Sequence, residues 1–157
     1  MAVLNLENIK KSLKKKNMDA HVQQETQQVY TILNLDGKEF PLFIRIYEQG
    51  DLLQLLAFLP FQLKKDNLND VSRLLHLFNK ELDIPGFGMD ETSEVAFFRC
   101  MIPALDNTYD EKLLESYLDT IQTACQTFST PIEAIAMGTV AFDDILKKIQ
   151  EASQQQK

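Results

Sequence analysis

Residues 40–61, FPLFIRIYEQGDLLQLLAFLPF, are the stretch around which the rest of this chain is organised. In the first half every second residue is apolar, and these residues are Phe40, Leu42, Ile44 and Ile46. A period of two is typical of a β-strand with one buried face. Residues 52–58 are nearly all apolar, which predicts a strand with both faces covered. Gly50 lies between the two runs and can adopt the positive φ of a tight turn, so the stretch predicts a β-hairpin in the middle of an antiparallel sheet.

The residues before this hairpin add a strand to it. Val29, Thr31 and Leu33 alternate with their neighbours, and Asp36-Gly37 follows soon after. An Asp-Gly pair between two alternating runs is a strong hairpin signal. The sequence therefore predicts a three-stranded meander, with strands over 27–35, 39–48 and 51–60. Pro60 is expected to end the third strand, because proline cannot donate a hydrogen bond to a ladder.

A second hairpin is predicted farther along the chain. Residues 87–90 form a short strand, residues 90–93 form the turn, and residues 94–102 alternate as a longer strand. This hairpin extends the predicted sheet to five strands. The polar residues 21–26 are either a loop or a weak first strand, and they are not counted among the five.

Helical periodicity marks the other segments. Residues 3–17 and 67–82 carry apolar residues three or four positions apart. Thr108-Tyr109-Asp110-Glu111 has the pattern of a capping box, which predicts that a helix begins there. Thr130-Pro131-Ile132-Glu133 is a second box with proline at the first helical position, so it predicts a separate last helix with an apolar stripe from Ile132 to Ile149.

The helix predicted over 67–82 has a wider apolar face than one side of a sheet requires. We predict that the part of this apolar face that the sheet does not cover mediates self-association. The residues concerned are Leu68, Val71, Leu74, Leu75 and Phe78. A two-fold pairing of this helix would bury a patch that monomers rarely expose. The rival explanation is that the last helix covers the same surface within one chain.

Length and composition limit the class of protein. The 157 residues, 45% of them hydrophobic, predict a single α+β domain over 1–153, a five-stranded antiparallel sheet with helices packed mainly on one face. Residues 154–157 are expected to form a flexible tail. A net charge of −7 argues against a nucleic-acid partner. Lysines within 10–16 interrupt any apolar run near the start, and no run reaches about 18 apolar residues, so we expect no signal peptide, no membrane and a cytoplasmic location.

Residue patterns typical of catalysis or of cofactor and metal binding do not occur in the sequence. His21 and His76 have no Ser or Cys near them in sequence that could serve as a nucleophile. Cys100 and Cys125 lack metal-ligand spacing and resemble buried small hydrophobic residues. We therefore expect a protein that is not an enzyme and that has no cofactor.

The charged residues leave alternatives open. Arg45, Arg73 and Arg99 are either groups that bind an acidic partner or members of structural salt bridges, and we expect the salt bridges. The lysines within 10–16 are either a solvated helix face or a patch that binds anions or a membrane surface. Their apolar stripe is short and lacks aromatic residues, so we expect a solvated face.

Three stretches resemble those of a known family. They are Leu77-Phe78-Asn79, then Pro85-Gly86-Phe87-Gly88-Met89, then Val95-Ala96-Phe97-Phe98-Arg99. They are similar to the helix end, the Gly-containing turn and the following strand of the YbjN-like proteins, whose fold resembles that of type III secretion chaperones. The order helix, meander, helix, hairpin, helix covers nearly the whole chain. The helix predicted to begin at Pro131 departs from the single C-terminal helix of a minimal chaperone.

The resemblance implies a non-catalytic protein that binds a segment of a client or partner protein, as secretion chaperones do. It also implies a homodimer, because chaperones of this fold are typically dimeric. An exposed sheet edge and apolar patches can take up an extended client segment. The alternative is a YbjN-like regulatory or stress-associated protein with no export client. A third interpretation is an enzyme whose site is assembled from residues scattered along the sequence.

Overall fold

The computed structural model describes residues 1–156, and its secondary structure confirms an α+β fold. In chain order the elements are β1 (Ala2–Val3), α1 (Leu6–Lys15), β2 (Ala20–Gln23), β3 (Gln28–Leu35), β4 (Lys38–Ile46), β5 (Leu52–Gln62), α2 (Leu68–Glu81), β6 (Phe87–Asp90), β7 (Val95–Pro103), β8 (Thr108–Tyr109), α3 (Glu111–Ala136) and α4 (Phe142–Gln155). No helix in this part of the chain is both long enough and apolar enough to span a bilayer.

The main sheet has six antiparallel strands in the order β2-β3-β4-β5-β7-β6. The prediction of five strands is wrong because β2 pairs with β3, from Ala20 opposite Thr31 to Gln23 opposite Gln28. Only Ala20 of β2 is buried, so backbone pairing defines this edge strand and apolar periodicity does not. β1 and β8, which the sequence did not indicate, form a separate two-stranded sheet.

The turns of the meander follow the expected chemistry. Asp36 and Gly37 have φ angles of 51° and 77°, and they connect the paired residues Leu35 and Lys38. Gly50 has a φ of 66° in the turn between β4 and β5. The predicted two-residue turn and the positive φ at both glycines are therefore confirmed.

Pro60 does not end β5, contrary to the prediction. The strand continues to Gln62, and its register against β7 is irregular between Phe58 and Gln62. At a bulge one residue does not have to donate a backbone hydrogen bond to the neighbouring strand. A proline, which has no backbone N–H, can therefore be accommodated there.

The helices cover one face of the sheet and leave the other uncovered. Alternate residues of β4 and β5, including Leu42, Ile44, Leu53 and Leu55, have no exposed area and face α1, α2 and α3. The intervening residues of β5 are half-exposed. The prediction that both faces of residues 52–58 are covered is therefore wrong, because no helix crosses to their outer side.

The two C-terminal helices do not begin at the predicted boxes. Thr108 lies in β8 opposite Val3, and Asp110 caps α3 by accepting hydrogen bonds from the backbone N–H groups of Lys112 and Leu113 at 2.9 and 3.2 Å. Pro131 lies inside α3, which continues to Ala136. The buried positions of α3 continue on both sides of the proline, so packing holds the helix together despite one missing donor.

The last helix, α4, is separated from α3 by residues 137–141 and packs against α2. Gly138, with a φ of 74°, follows the end of α3. Phe142 is the only buried residue of α4. The expected tail over 154–157 overlaps the end of this helix, which continues to Gln155, and residue 157 lies outside the described residues.

Candidate functional site

The predicted self-association residues lie on the inner side of α2. Val71, Leu74, Leu75 and Phe78 are between 0% and 6% exposed, and Leu68 is half-buried. The ring of Phe78 packs on that of Phe128 in α3, with centroids 4.5 Å apart. α4 also packs against α2, beside Phe78, so the last helix takes part in covering this surface within one chain, as the rival explanation expected. The structure thus covers these residues largely within one chain. The homodimer remains a prediction, and its interface would have to use other residues.

One side of the main sheet carries apolar side chains that no helix covers, and packing within the chain does not explain them. We call this side the open face. Its members are the half-exposed or exposed residues His21, Tyr30, Ile32, Pro41, Phe43, Arg45, Gln54, Leu56, Phe58, Phe97, Arg99 and Met101. Strand pairing places them on one side, since Tyr30 lies opposite Phe43 and Phe58 lies opposite Phe97. Most of these side chains are apolar although they are accessible to water.

A row of rings crosses the open face from one edge towards the other. The ring centroids of Tyr30 and Phe43 are 5.6 Å apart, those of Phe43 and Phe58 are 5.9 Å apart, and those of Phe58 and Phe97 are 6.5 Å apart. His21 extends the row beyond Tyr30 at 5.7 Å. Phe58 meets both of its neighbours edge to face, at 78° and 75°. Such contacts between aromatic side chains stabilise their positions, so the row is a fixed surface.

A glycine allows the row to extend over the edge strand β6. A Cβ added at Gly88 would lie 2.9 Å from the ring atoms Cε2 and Cζ of Phe97. The ring of Phe97 therefore covers Gly88, an arrangement that protects a glycine in an edge strand. The side chain of Asn79 fixes the chain just before β6, because it accepts a hydrogen bond from Phe87 N–H at 2.9 Å and donates one to Phe87 C=O at 2.8 Å.

Two arginines interrupt the apolar surface of the open face. Arg45 and Arg99 are exposed, and no carboxylate of residues 1–156 lies within 4 Å of either guanidinium. The Arg45 guanidinium instead lies over the ring of Tyr47, 5.5 Å from its centroid. The structural salt bridges predicted for the arginines are therefore wrong, and Arg73 likewise lies over the ring of Phe142 at 4.2 Å.

The acidic residues of the open face lie at its ends. Glu39 is at the start of β4 opposite Asn34, and Asp90 is at the end of β6 opposite Val95. A hydrogen bond with the Ser93 side chain, together with those that the Asp90 carboxylate accepts from the backbone N–H groups of Ser93 and Thr92, holds the pKa of Asp90 below its usual value. A groove of about 990 Å³ lies at the end of β4, and its lining includes Arg45, Glu7, Glu25 and Glu48.

The edges of the sheet are less suited than its open face to binding a segment of another protein. The two edge strands, β2 and β6, have four residues each. Short edge strands are a common device against pairing with another chain. Uptake of a client segment along a sheet edge, one of the two modes expected from the sequence, is therefore poorly supported, and the open face is the better candidate surface.

The polar residues buried elsewhere form a structural cluster. Ser12, fully buried in α1, lies 3.0 Å from the hydroxyl of Tyr109 and donates to Glu111 Oε1 at 3.2 Å. Lys15 pairs with the same oxygen at 3.1 Å, and this ion pair lowers the pKa of Glu111. Because Ser12 is inaccessible to a substrate, the cluster is best explained as an attachment of α1 to the start of α3.

The cysteines and histidines do not come together. Burial raises the pKa of Cys100 to about 11 and that of Cys125 to about 12. His21 is exposed on β2 and His76 is exposed on α2. Within residues 1–156 no three metal-ligating side chains are close enough to hold an ion.

The sequence contained one signal for the open face. The alternation of Phe43 and Arg45 with buried neighbours was visible in β4, but nothing local indicated that Phe58 and Phe97, 39 positions apart, would meet. The sequence leaves Arg45 and Arg99 open as groups for an acidic partner, but it does not place them on one surface. The row of rings was therefore missed because it depends on strand order.

Comparison with known proteins supports one family. The sequence profile of YbjN, described as "Putative bacterial sensory transduction regulator", matches residues 5–134. Among solved structures, "Crystal structure of YbjN, a putative transcription regulator from E. coli" is similar, with a TM-score of 0.62 over 87% of this chain and 95% of that chain. The two sequences are 9% identical, so this similarity concerns the fold alone. No curated protein matches the sequence.

Proposed function

Because the chain belongs to the YbjN family, we propose that it is a non-catalytic regulatory protein that acts by binding a segment of another protein on the open face of its sheet. The observation that carries this proposal is the aromatic row of Tyr30, Phe43, Phe58 and Phe97 on a side that no helix covers. Exposed contiguous apolar surfaces of this kind mark interaction sites in soluble proteins.

The chemistry of the open face favours binding over catalysis. Apart from His21 and the acidic residues at its ends, its polar groups are arginines and amides, and a general acid or base is expected at a concave site. His21 lies at the end of the row, and its ring packs at 5.7 Å from Tyr30 on an open surface. A surface that is broad, apolar and fixed in shape suits recognition of a peptide segment.

A narrower form of the proposal is that the partner is an export client, as the resemblance to secretion chaperones implies. The observation in its favour is an apolar binding surface on a protein with a net charge of −7, which would keep a client complex in solution. A client held for export is bound in an extended state. Limited proteolysis of the isolated complex separates the two forms, because a chaperone's partner is digested outside the bound segment while a folded regulatory partner resists.

Photo-crosslinking from the open face tests the general proposal. Phe43 is replaced by benzoylphenylalanine, and cells that make the protein are irradiated. We expect a discrete adduct with a different protein, because Phe43 lies in the middle of the row. The matched control places the same group at Leu113 of α3, which is 38% exposed and lies outside the open face.

The adduct must also depend on the surface itself. Leu56→Glu, opposite Phe43 in the sheet, should abolish the adduct while leaving the far-ultraviolet spectrum unchanged. A synthetic peptide with the crosslinked segment should then bind the purified protein. Equal labelling from Leu113, or adducts that survive Leu56→Glu, would contradict the proposal.

A further inference from the structure

The size of the open face limits what can occupy it. Six strands at a spacing of about 4.8 Å give a width near 24 Å, and the apolar rows extend about 20 Å along the strands, so the area is roughly 500 Å². A stable interface between folded proteins buries about 800 Å² on each partner. A segment of some nine residues in extended conformation spans roughly 30 Å, which matches the diagonal of a face of about 24 Å by 20 Å. The open face is therefore the size of a peptide site and small for a second folded copy.

The charges of the face indicate the chemistry of that segment. Arg45 and Arg99 are cationic groups without a carboxylate partner in the described chain, in a protein whose net charge is −7. Guanidinium groups bind carboxylates in a planar, bidentate geometry. Two such groups on an apolar surface fit a segment that carries both carboxylates and apolar side chains. Pairing with a second copy would add two more arginines to the interface.

Strand pairing fixes the separation of the two arginines. Arg45 lies opposite Gln54 and Arg99 lies opposite Leu56, so they flank β5 on its two sides. Two strand spacings and a stagger of two residues place their Cα atoms roughly 12 Å apart. In an extended peptide, residues i and i+4 point to the same side and are about 13 Å apart. The residue at i+2 then points at the surface between Gln54 and Leu56.

We propose, resting on the proposed function, that the open face binds an extended peptide segment with acidic residues at i and i+4 and an apolar residue at i+2. Arg45 and Arg99 take the two carboxylates, and the central apolar side chain packs beside Leu56 against the aromatic row. A single-stranded nucleic acid is less compatible with this surface. Bases stack on flat, accessible rings, whereas the Phe58 ring meets Phe43 and Phe97 edge to face, and only two cations are present to meet phosphates.

Three synthetic peptides with a common fluorescent label test the inference by anisotropy. The first is Leu-Thr-Glu-Thr-Leu-Thr-Glu-Thr-Leu, the second has Gln in place of both Glu, and the third has the first peptide's composition with the two Glu adjacent. We expect the first peptide to bind about tenfold more tightly than the Gln peptide, since each of two exposed ion pairs contributes a factor of about three, and about threefold more tightly than the third peptide, which can form only one of the two pairs. Raising the salt concentration should remove most of this difference.

Variants assign the effect to the two arginines. In the double variant Arg45→Gln/Arg99→Gln the three peptides should bind equally. Arg73→Gln, which removes the same charge from α2, should keep the tenfold difference. Equal binding of the Glu and Gln peptides by the wild-type protein, or no binding of any peptide, would overturn the inference.

Two further experiments test whether a nucleic acid or a second copy of the chain occupies the open face instead. Tighter binding of a labelled oligo-dT that Phe43→Ala weakens would overturn the inference in favour of nucleic acid. A dimer in sedimentation that Leu56→Glu dissociates would overturn it in favour of a second copy. If the peptides fail while the Phe43 photo-adduct persists, the proposed function stands and the acidic segment is wrong.

Discussion

Gly37 shows how a turn can depend on a residue that has no side chain. Its φ of 77° is in the left-handed region, although a Cβ at this position would meet no atom within 4 Å. Any penalty for a larger residue is therefore conformational and not steric contact with the rest of the protein.

Gly37→Val should reduce the free energy of unfolding by about 1 to 2 kcal/mol, because a β-branched residue tolerates a left-handed backbone poorly. Gly37→Asn is the matched control and should lose much less, since asparagine adopts this conformation readily. Urea titrations of the three proteins measure the difference. Equal midpoints for the valine and wild-type proteins would reject the turn.

The two thiols should be unreactive in the native state. The pKa of Cys100 is raised to about 11 and that of Cys125 to about 12 by burial, and the residues are 4% and 0% exposed. At about pH 8 the thiolate fraction of Cys100 is then near one in a thousand. A chromogenic disulfide reagent should report no thiol before denaturation and both thiols in concentrated urea. Rapid reaction of the folded protein would show that one of them is accessible.

The secondary-structure element that most needs testing is α2, whose predicted role was self-association. Leu74→Glu places a carboxylate where the side chain has no exposed area, so it should destabilise the chain by roughly 4 kcal/mol or more and unfold much of it. His76→Glu introduces the same charge on the exposed side of α2 and should remain folded. Circular dichroism distinguishes the two. A folded, monomeric Leu74→Glu variant from a dimeric parent would support the original dimer surface instead.

Elements that a local sequence pattern specifies could be predicted. Elements that depend on packing or pairing with distant parts of the chain could not. The alternation over 40–46 and the Asp36-Gly37 turn are set within a few residues. By contrast, α3 continues through Pro131 because Ser129 and Ile132 on either side are buried by other elements. The same reason explains β2, which exists only by pairing with β3. The open face was missed for this reason too, since composition cannot tell which side of a strand a helix will cover.

The predicted homodimer can be tested by measuring the mass of the protein in solution. Sedimentation equilibrium at micromolar concentration should give twice 18.0 kDa if the resemblance to secretion chaperones extends to assembly. We expect Leu56→Glu to leave that mass unchanged, because the open face is a peptide site. A mass of 18.0 kDa for the wild type would show that the homodimer prediction is wrong and would leave the open face unaffected.

The position of β5 in the sheet has a consequence for the order of folding. Its pairing with β4 closes a short turn, whereas its pairing with β7 joins Leu55 to Cys100 across the whole of α2 and β6. Closing the longer loop costs about 2 kcal/mol more chain entropy than closing a hairpin turn such as that at Asp36-Gly37. The meander of β3, β4 and β5 can therefore form early and alone. We expect the β5–β7 seam, which is a non-local pairing, to form later than the meander, and until it closes β5 is a temporary edge on which another chain could misassemble.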